Sequence, residues 1–167
     1  MTHNTSDEAP SFLTLLDVHY QLDELFRQHQ ECVLSQRFDR AREHLDAFER
    51  ELRSHMQFEE DELFDLFERA EPIRGAGRPI FHTEHEKLLR YVAGIRRGLD
   101  ELFADRHIVA VRIIELLDFE SRFKNLMAHH DERERAYLYP TLDRVTTTEE
   151  RYRLLGKHIA AEMTAGA

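Results

Sequence analysis

The sequence predicts an all-α protein: an up-down-up-down four-helix bundle with a short fifth helix after it. Three observations predict this. Apolar residues recur at 3.6-residue spacing along nearly all of the 167-residue chain, and no segment shows the period of two that marks a strand. Gly and Pro number only 6 and 4, too few for the many turns of a sandwich or barrel. Pro72, Gly75, Gly77 and Pro79 cluster between two long periodic segments, and the four long helices have the short links that join neighbours in such a bundle.

Residues 1–10, MTHNTSDEAP, read as a flexible N-terminus and lack the charged-then-apolar pattern of a signal peptide. A first helix is predicted over about 10–35, with Phe12, Leu15, Leu16, His19, Leu22, Phe26, His29 and Val33 on its stripe. The second runs over about 39–70 and sets Leu45, Phe48, Leu52, His55, Glu59, Leu63 and Leu66 on one face. Pro72, Gly75, Gly77 and Pro79 make the following segment a loop. The third helix covers about 79–103 with Phe81, His85, Leu88, Val92, Ile95, Leu99 and Leu102. Asp105 is placed to cap a fourth, about 106–139, carrying Val109, Ile113, Leu116, Phe123, Met127, His130, Glu134 and Leu138, with His107 at its start. Pro140 is expected to stop it, so residues 11–140 form the bundle and 141–167 a helical tail. In that tail Thr147 and Glu150 make a capping box for a helix over about 148–164, striped by Tyr152, Leu155, Ile159 and Met163. This helix packs on the bundle or on a second subunit, so a dimer through it is one arrangement the sequence allows.

Charge and cysteine content exclude several functions. With 33 Asp+Glu against 23 Lys+Arg the net charge is −10, which argues against a nucleic-acid groove and against binding to an anionic membrane surface. No apolar run approaches the roughly 20 residues of a membrane span. A single cysteine, Cys32, rules out an intrachain disulfide framework and a cysteine-built zinc or iron–sulfur site. A cytoplasmic protein is the expectation.

Histidine is the unusual component, 11 of 167 residues. Six of them have Asp or Glu four residues on, against about two expected from composition, but a charged helical surface produces such pairs as solvated neighbours. Position relative to the apolar stripes separates the cases. His55 and Glu59 lie between Leu52 and Leu63, and His130 and Glu134 between Met127 and Leu138, inside the buried rows. A carboxylate left charged and unpaired there would cost several kcal/mol. Two such carboxylates, each beside a histidine, want a cation. His19 and His85 extend the set. If the first turn is centred near residue 37, position 19 faces 55; if the third is centred near 107, position 85 comes within a turn of 130. The candidate metal ligands are therefore His19, His55, Glu59, His85, His130 and Glu134. His82 is a reserve ligand. His129 shares a face with Arg122, Asn125 and Arg133 and is assigned to the surface. His3 and His158 lie in the tails. His29 and His44 face each other about 15 Å from the site and are read as a structural pair. Asp23 and Glu51 lie one turn from ligands and could accept from the outer nitrogens of the ligating histidines, with solvated charge the favoured role.

At these residues the chain resembles the hemerythrin-like (HHE cation-binding) family. The resemblance covers about residues 12–140. It rests on His19, on His55-Met-Gln-Phe-Glu59 with Leu63-Phe64, on Glu84-His85, and on His130-Asp-Glu-Arg-Glu134 with Leu138-Tyr139-Pro140. It implies a four-helix bundle around two non-haem iron ions, bridged by Glu59, Glu134 and an oxo or hydroxo group, with the four histidines as terminal ligands. Zinc and manganese suit the same mixed imidazole and carboxylate donors. The oxygen-carrying members have a fifth histidine where this chain has Phe81 and Leu89 on either side of His85, and usually a final Asp where it has Glu134. The four-His, two-Glu pattern is more similar to the branch that includes iron–sulfur repair and nitric-oxide-responsive proteins. The implied function is binding of, or reaction with, dioxygen, nitric oxide or peroxide in sensing or stress defence. A di-iron oxidase, oxygenase or reductase is the alternative, and would need a substrate pocket and a redox route. An iron store or an iron-centre repair protein is a third reading.

Overall fold

The computed structural model describes residues 9–104 and 109–165, with side chains up to residue 160 in the last helix. Every regular element among them is helical, and Ile73 and Ala76 form one isolated bridge inside a turn. The predicted N-terminal segment falls largely outside the described residues, as do His3, the cap Asp105 and the helix start at His107.

A 3₁₀ turn, Phe12–Leu15, leads into α1, Leu16–Leu34. Gln36 takes φ of 55°, and the Arg37 N–H donates to Cys32 O at 2.8 Å, closing a tight link to α2, Phe38–Phe58. A π-helical turn, Glu59–Leu63, continues α2 into the short α3, Phe64–Phe67. α4 spans Arg78–Ala104 and α5 Val109–Arg133. A second π-helical turn, Glu134–Leu138, joins α5 to α6, Tyr139–Val145. The last helix, α7, covers Thr148–Ala165. Its predicted capping box is present: the Thr147 N–H donates to Glu150 Oε2 at 2.8 Å and the Glu150 N–H to Thr147 Oγ1 at 3.2 Å.

The long helices pack α1 on α2, α2 on α4, α4 on α5 and α5 on α1. Their apolar stripes build two clusters. The larger contains Leu22 and Phe26 of α1, Leu45 and Phe48 of α2, Val92 and Ile95 of α4, and Leu116 and Phe123 of α5. The smaller gathers Phe12, Leu15, Leu63, Phe64, Phe81, Leu138, Tyr139 and Leu142 with Leu154 and Leu155 of α7. α1 and α4 run from the smaller cluster to the larger, and α2 and α5 run back. The layer between the clusters is polar, and it holds the candidate ligands. Along the larger cluster α4 and α5 lie very close: a Cβ on Gly98 would sit 2.8 Å from Leu116 Cδ1, and one on Gly94 2.6 Å from the Phe119 ring.

Three expectations are corrected. Pro140 does not end its helix. It occupies the first turn of α6, where its fixed φ fits and its missing N–H is tolerated, and α6 buries Thr141 and Leu142 beyond it. The expected boundary at 140 therefore falls inside a helix that packs against α3 and the N-terminal 3₁₀ turn. Second, Phe67 rather than Leu66 is buried at the end of the second helical segment, because the π turn takes up one residue and rotates the residues after it by about 100°. Third, α7 buries Leu154, Leu155 and His158, while Tyr152 and Ile159 of the expected stripe are about 60% exposed. It packs on α2 of the same chain and adds Leu154 and Leu155 to the smaller cluster. Among the described residues no helix is long and apolar enough to cross a membrane.

Candidate metal centre

The polar layer is positioned by helix register. His19 on α1 follows Leu15 of the 3₁₀ turn, His55 follows Leu52 on α2, His85 follows Phe81 on α4 and His130 follows Met127 on α5, each one turn along an inward-facing stripe. Glu59 and Glu134 open the two π turns one turn further on. All six candidate ligands come together, none more than 4% exposed.

The distances divide them into two groups that share the carboxylates. His19 Nε2 lies 3.0 Å from His55 Nε2 and 3.2 Å from Glu134 Oε2, and His55 Nε2 lies 3.5 Å from Glu59 Oε1. On the other side His85 Nε2 is 3.4 Å from Glu59 Oε2, and His130 Nε2 is 2.9 Å from Glu134 Oε1. Each carboxylate thus turns one oxygen to each histidine pair. The approaches of His85 and His130 are ion-pair contacts only: Glu59 Oε2, His85 Nε2 and Glu134 Oε1 are buried without a hydrogen-bond partner among the described residues. Buried polar atoms are nearly always paired, so three converging atoms without partners mark a place for a cation. Glu59, His85, His130 and Glu134 can hold one metal ion, and His19, His55 and Glu134 form a second such group.

Carboxylates fix two of the outer nitrogens and approach a third. His85 Nδ1 donates to Glu60 Oε1 at 2.7 Å and His130 Nδ1 to Glu84 Oε2 at 3.2 Å. His19 Nδ1 lies 3.5 Å from Asp131 Oδ1. A proton held on Nδ1 leaves the Nε2 lone pair for the centre of the layer, the arrangement that metal-ligating histidines use. Arg133 in turn holds Glu84, at 3.0 Å, and donates to Gly75 O at 2.9 Å. Asp23 is exposed and Glu51 lies 3.7 Å from Arg50, in keeping with the solvated role favoured for both. The signal for the true set is adjacency. Glu60, Glu84 and Asp131 are each the sequence neighbour of one candidate ligand and the spatial partner of another.

Burial and charge set the protonation of the layer. Burial and the negative charge of Glu134 push Glu59 up to about 7. Burial also acts on Glu134, but His130, His19 and His85 hold it well below the usual carboxylate range. Burial opposes charge on His85, yet Glu134 and Glu59 raise it to about 9. The same carboxylates raise His19 and His130 against their burial. His55 is depressed, first by burial and then by the charge of His19. Burial lifts Asp131 to about 6.

Several other residues depart from expectation. His82 is 54% exposed and turns its Nδ1 to Glu60 at 3.2 Å, outside the layer. His129 is exposed as expected. His158 is not a tail residue in structural terms. It is 6% exposed and meets Phe58 and His55 edge-on, at 4.8 and 6.1 Å between ring centroids. His29 does not pair with the half-buried His44. Its Nδ1–H donates to Ala41 O at 2.8 Å, and its Nε2 meets Glu120 Oε1 at 2.9 Å, both side chains fully buried. Glu120 fills the gap between Leu116 and Phe123 in the α5 stripe, which was the sequence signal for it. Tyr139, fully buried, reaches the layer with its hydroxyl, 2.7 Å from Glu59 Oε1. Burial, then Glu134 and Glu59, push its pKa well above the ordinary phenol value.

A crevice of about 390 Å³ opens beside the layer between α1 and α5. Phe26, Phe48, Phe123 and Met127 wall it, and Asp131, the neighbour of His19, stands at its edge. Comparison of the chain with family models, curated proteins and solved structures gives no match. The site itself defines the class of protein: an all-helical chain with a buried histidine–glutamate cluster able to hold metal.

Proposed function

We propose that the protein is a non-haem di-iron protein of the hemerythrin-like kind, with α1, α2, α4 and α5 as its up-down-up-down four-helix bundle. The orientation of Glu59 and Glu134 carries this reading. Glu59 turns one oxygen to His55 and the other to His85, and Glu134 one to His19 and the other to His130, as carboxylates shared between two cations would. The donor set fits iron, with manganese and zinc as substitutes, because it mixes imidazole with carboxylate and has no thiolate. Bound iron would supply electron transfer and coordination positions for a small ligand such as dioxygen, nitric oxide or peroxide. The chain supplies the rest. Glu60 and Glu84 orient the imidazoles of His85 and His130, Asp131 faces His19, and the apolar clusters on either side keep bulk water out of the layer. Binding of, or reaction with, such a ligand in sensing or stress defence is the function these features support. The crevice beside Asp131 favours a second reading, a di-iron enzyme, since its volume lies in the range of small-molecule sites.

Anaerobic loading with ferrous iron, followed by metal analysis and exposure to air, tests the reading. About two ions per chain are expected. Glu134→Ala and His130→Ala should remove most of the metal, while His129→Ala leaves it in place. Unchanged metal content in Glu134→Ala would overturn the assignment. A reversible spectral change on adding the small ligand supports binding; one-way oxidation with turnover supports the enzyme.

A further inference from the structure

The run His-x-x-x-Glu-x-x-x-Leu-aromatic occurs twice, and its copies differ at the last position: Phe64 closes one and Tyr139 the other. Each aromatic lies five residues after a layer carboxylate, which on a regular α-helix would turn it about 140° away. The π turns take up one residue each and bring both rings inward. Phe64 stacks on His85, 5.8 Å between ring centroids. Tyr139 delivers an oxygen to the opposite side.

That oxygen has four close neighbours. It lies 2.7 Å from Glu59 Oε1, 3.3 Å from His19 Nε2, 3.4 Å from His55 Nε2 and 3.4 Å from Glu134 Oε2. These are the atoms that define one of the two cation positions, themselves 3.0–3.5 Å apart where they adjoin. Neighbouring corners of an octahedron with metal–ligand bonds of about 2.1 Å stand about 3.0 Å apart. The phenol has one proton and can serve only one of the two carboxylate oxygens that face it. A cation satisfies all five atoms together.

We propose that Tyr139 is a metal ligand, its phenolate joining His19, His55, Glu59 and Glu134 around one cation position. The proposal rests on the di-iron reading of the layer and adds a residue to it. Coordination exchanges the phenolic proton for the metal, and that proton leaves to solvent. The two positions are then unequal: five protein donors on the Tyr139 side, and four on the Phe64 side, which keeps more of its coordination open for an incoming ligand.

The test is spectroscopic. Full-length protein loaded with ferrous iron and oxidised in air should show a visible phenolate-to-ferric charge-transfer band. Excitation in that band should enhance tyrosine ring modes in the Raman spectrum, and ring-deuterated tyrosine should shift them. Tyr139→Phe should keep about two irons per chain and lose both band and modes. The wild-type Raman result stands even where the variant folds poorly. Two bound irons with no enhanced tyrosine modes, or a Tyr139→Phe spectrum like the wild type, would overturn the proposal and leave the di-iron reading intact. A wild-type chain that takes up no metal overturns both.

Discussion

His85 carries a proton that its burial opposes, and the two carboxylates beside it win: the group titrates near 9 in the folded chain against 6.5 when free. Because the folded state holds that proton more tightly, the stabilisation is complete below about 6.5 and is lost as pH rises through 9. Glu59, lifted to about 7, acts in the same direction. The melting temperature of metal-free protein should therefore fall between pH 7 and 9, by roughly 5 °C for a chain of this size. Thermal melts in chelator check this, and a rise across that window contradicts it. Metal needs these same atoms deprotonated, so affinity should climb where stability falls. The four histidines and two glutamates of the layer were legible in sequence because each sits inside an apolar stripe. Tyr139 was not, since on a regular helix it faces away from Glu134, and only the π turn brings it in. Glu120 was legible in principle, at the vacant position of its stripe, but a carboxylate does not announce itself as core without its partner, His29, on another helix.

Helix packing shows the same dependence on local register. Gly98 lets α5 approach α4 where a Cβ would meet the packed side chain of Leu116, whereas Gly156 on α7 has nothing within 4 Å of a Cβ. Alanine improves helix propensity equally at both. Gly156→Ala should stabilise by about 0.5 kcal/mol, while Gly98→Ala should destabilise by about 1 kcal/mol as the overpacking cost outweighs the propensity gain. Denaturant unfolding reads the sign, and a stabilising Gly98→Ala would refute the close approach. Periodicity found the long helices because burial imposes it over many turns. It missed the π turns because one added residue leaves the same side chains apolar on either register. The paired Leu63-Phe64 and Leu138-Tyr139, apolar at both the fourth and fifth positions after a layer glutamate, were the trace these turns left. The α7 face was misread because Leu154, Leu155 and His158 pack on elements distant in sequence, and local spacing does not record that.

The molecule as a whole separates two polar tasks. The histidine–glutamate layer lies between the apolar clusters, while His29 and Glu120 sit beside the larger one, held by Ala41 O and Gln30. Removing Glu120 strands a buried imidazole, so Glu120→Ala should cost about 3 kcal/mol of stability. Its metal content at saturating iron should match the wild type, which denaturation and metal analysis together establish; a parallel loss of metal would tie the two clusters into one. Within the layer, the histidines of each position come from one helix pair, α1 with α2 or α4 with α5, but the carboxylates look both ways. Parting the two pairs takes an oxygen from both positions in a single movement. On the two-cation reading, occupation of one position would hold Glu59 and Glu134 in place for the other, so loading should be cooperative, with half-loaded chains scarce at intermediate metal.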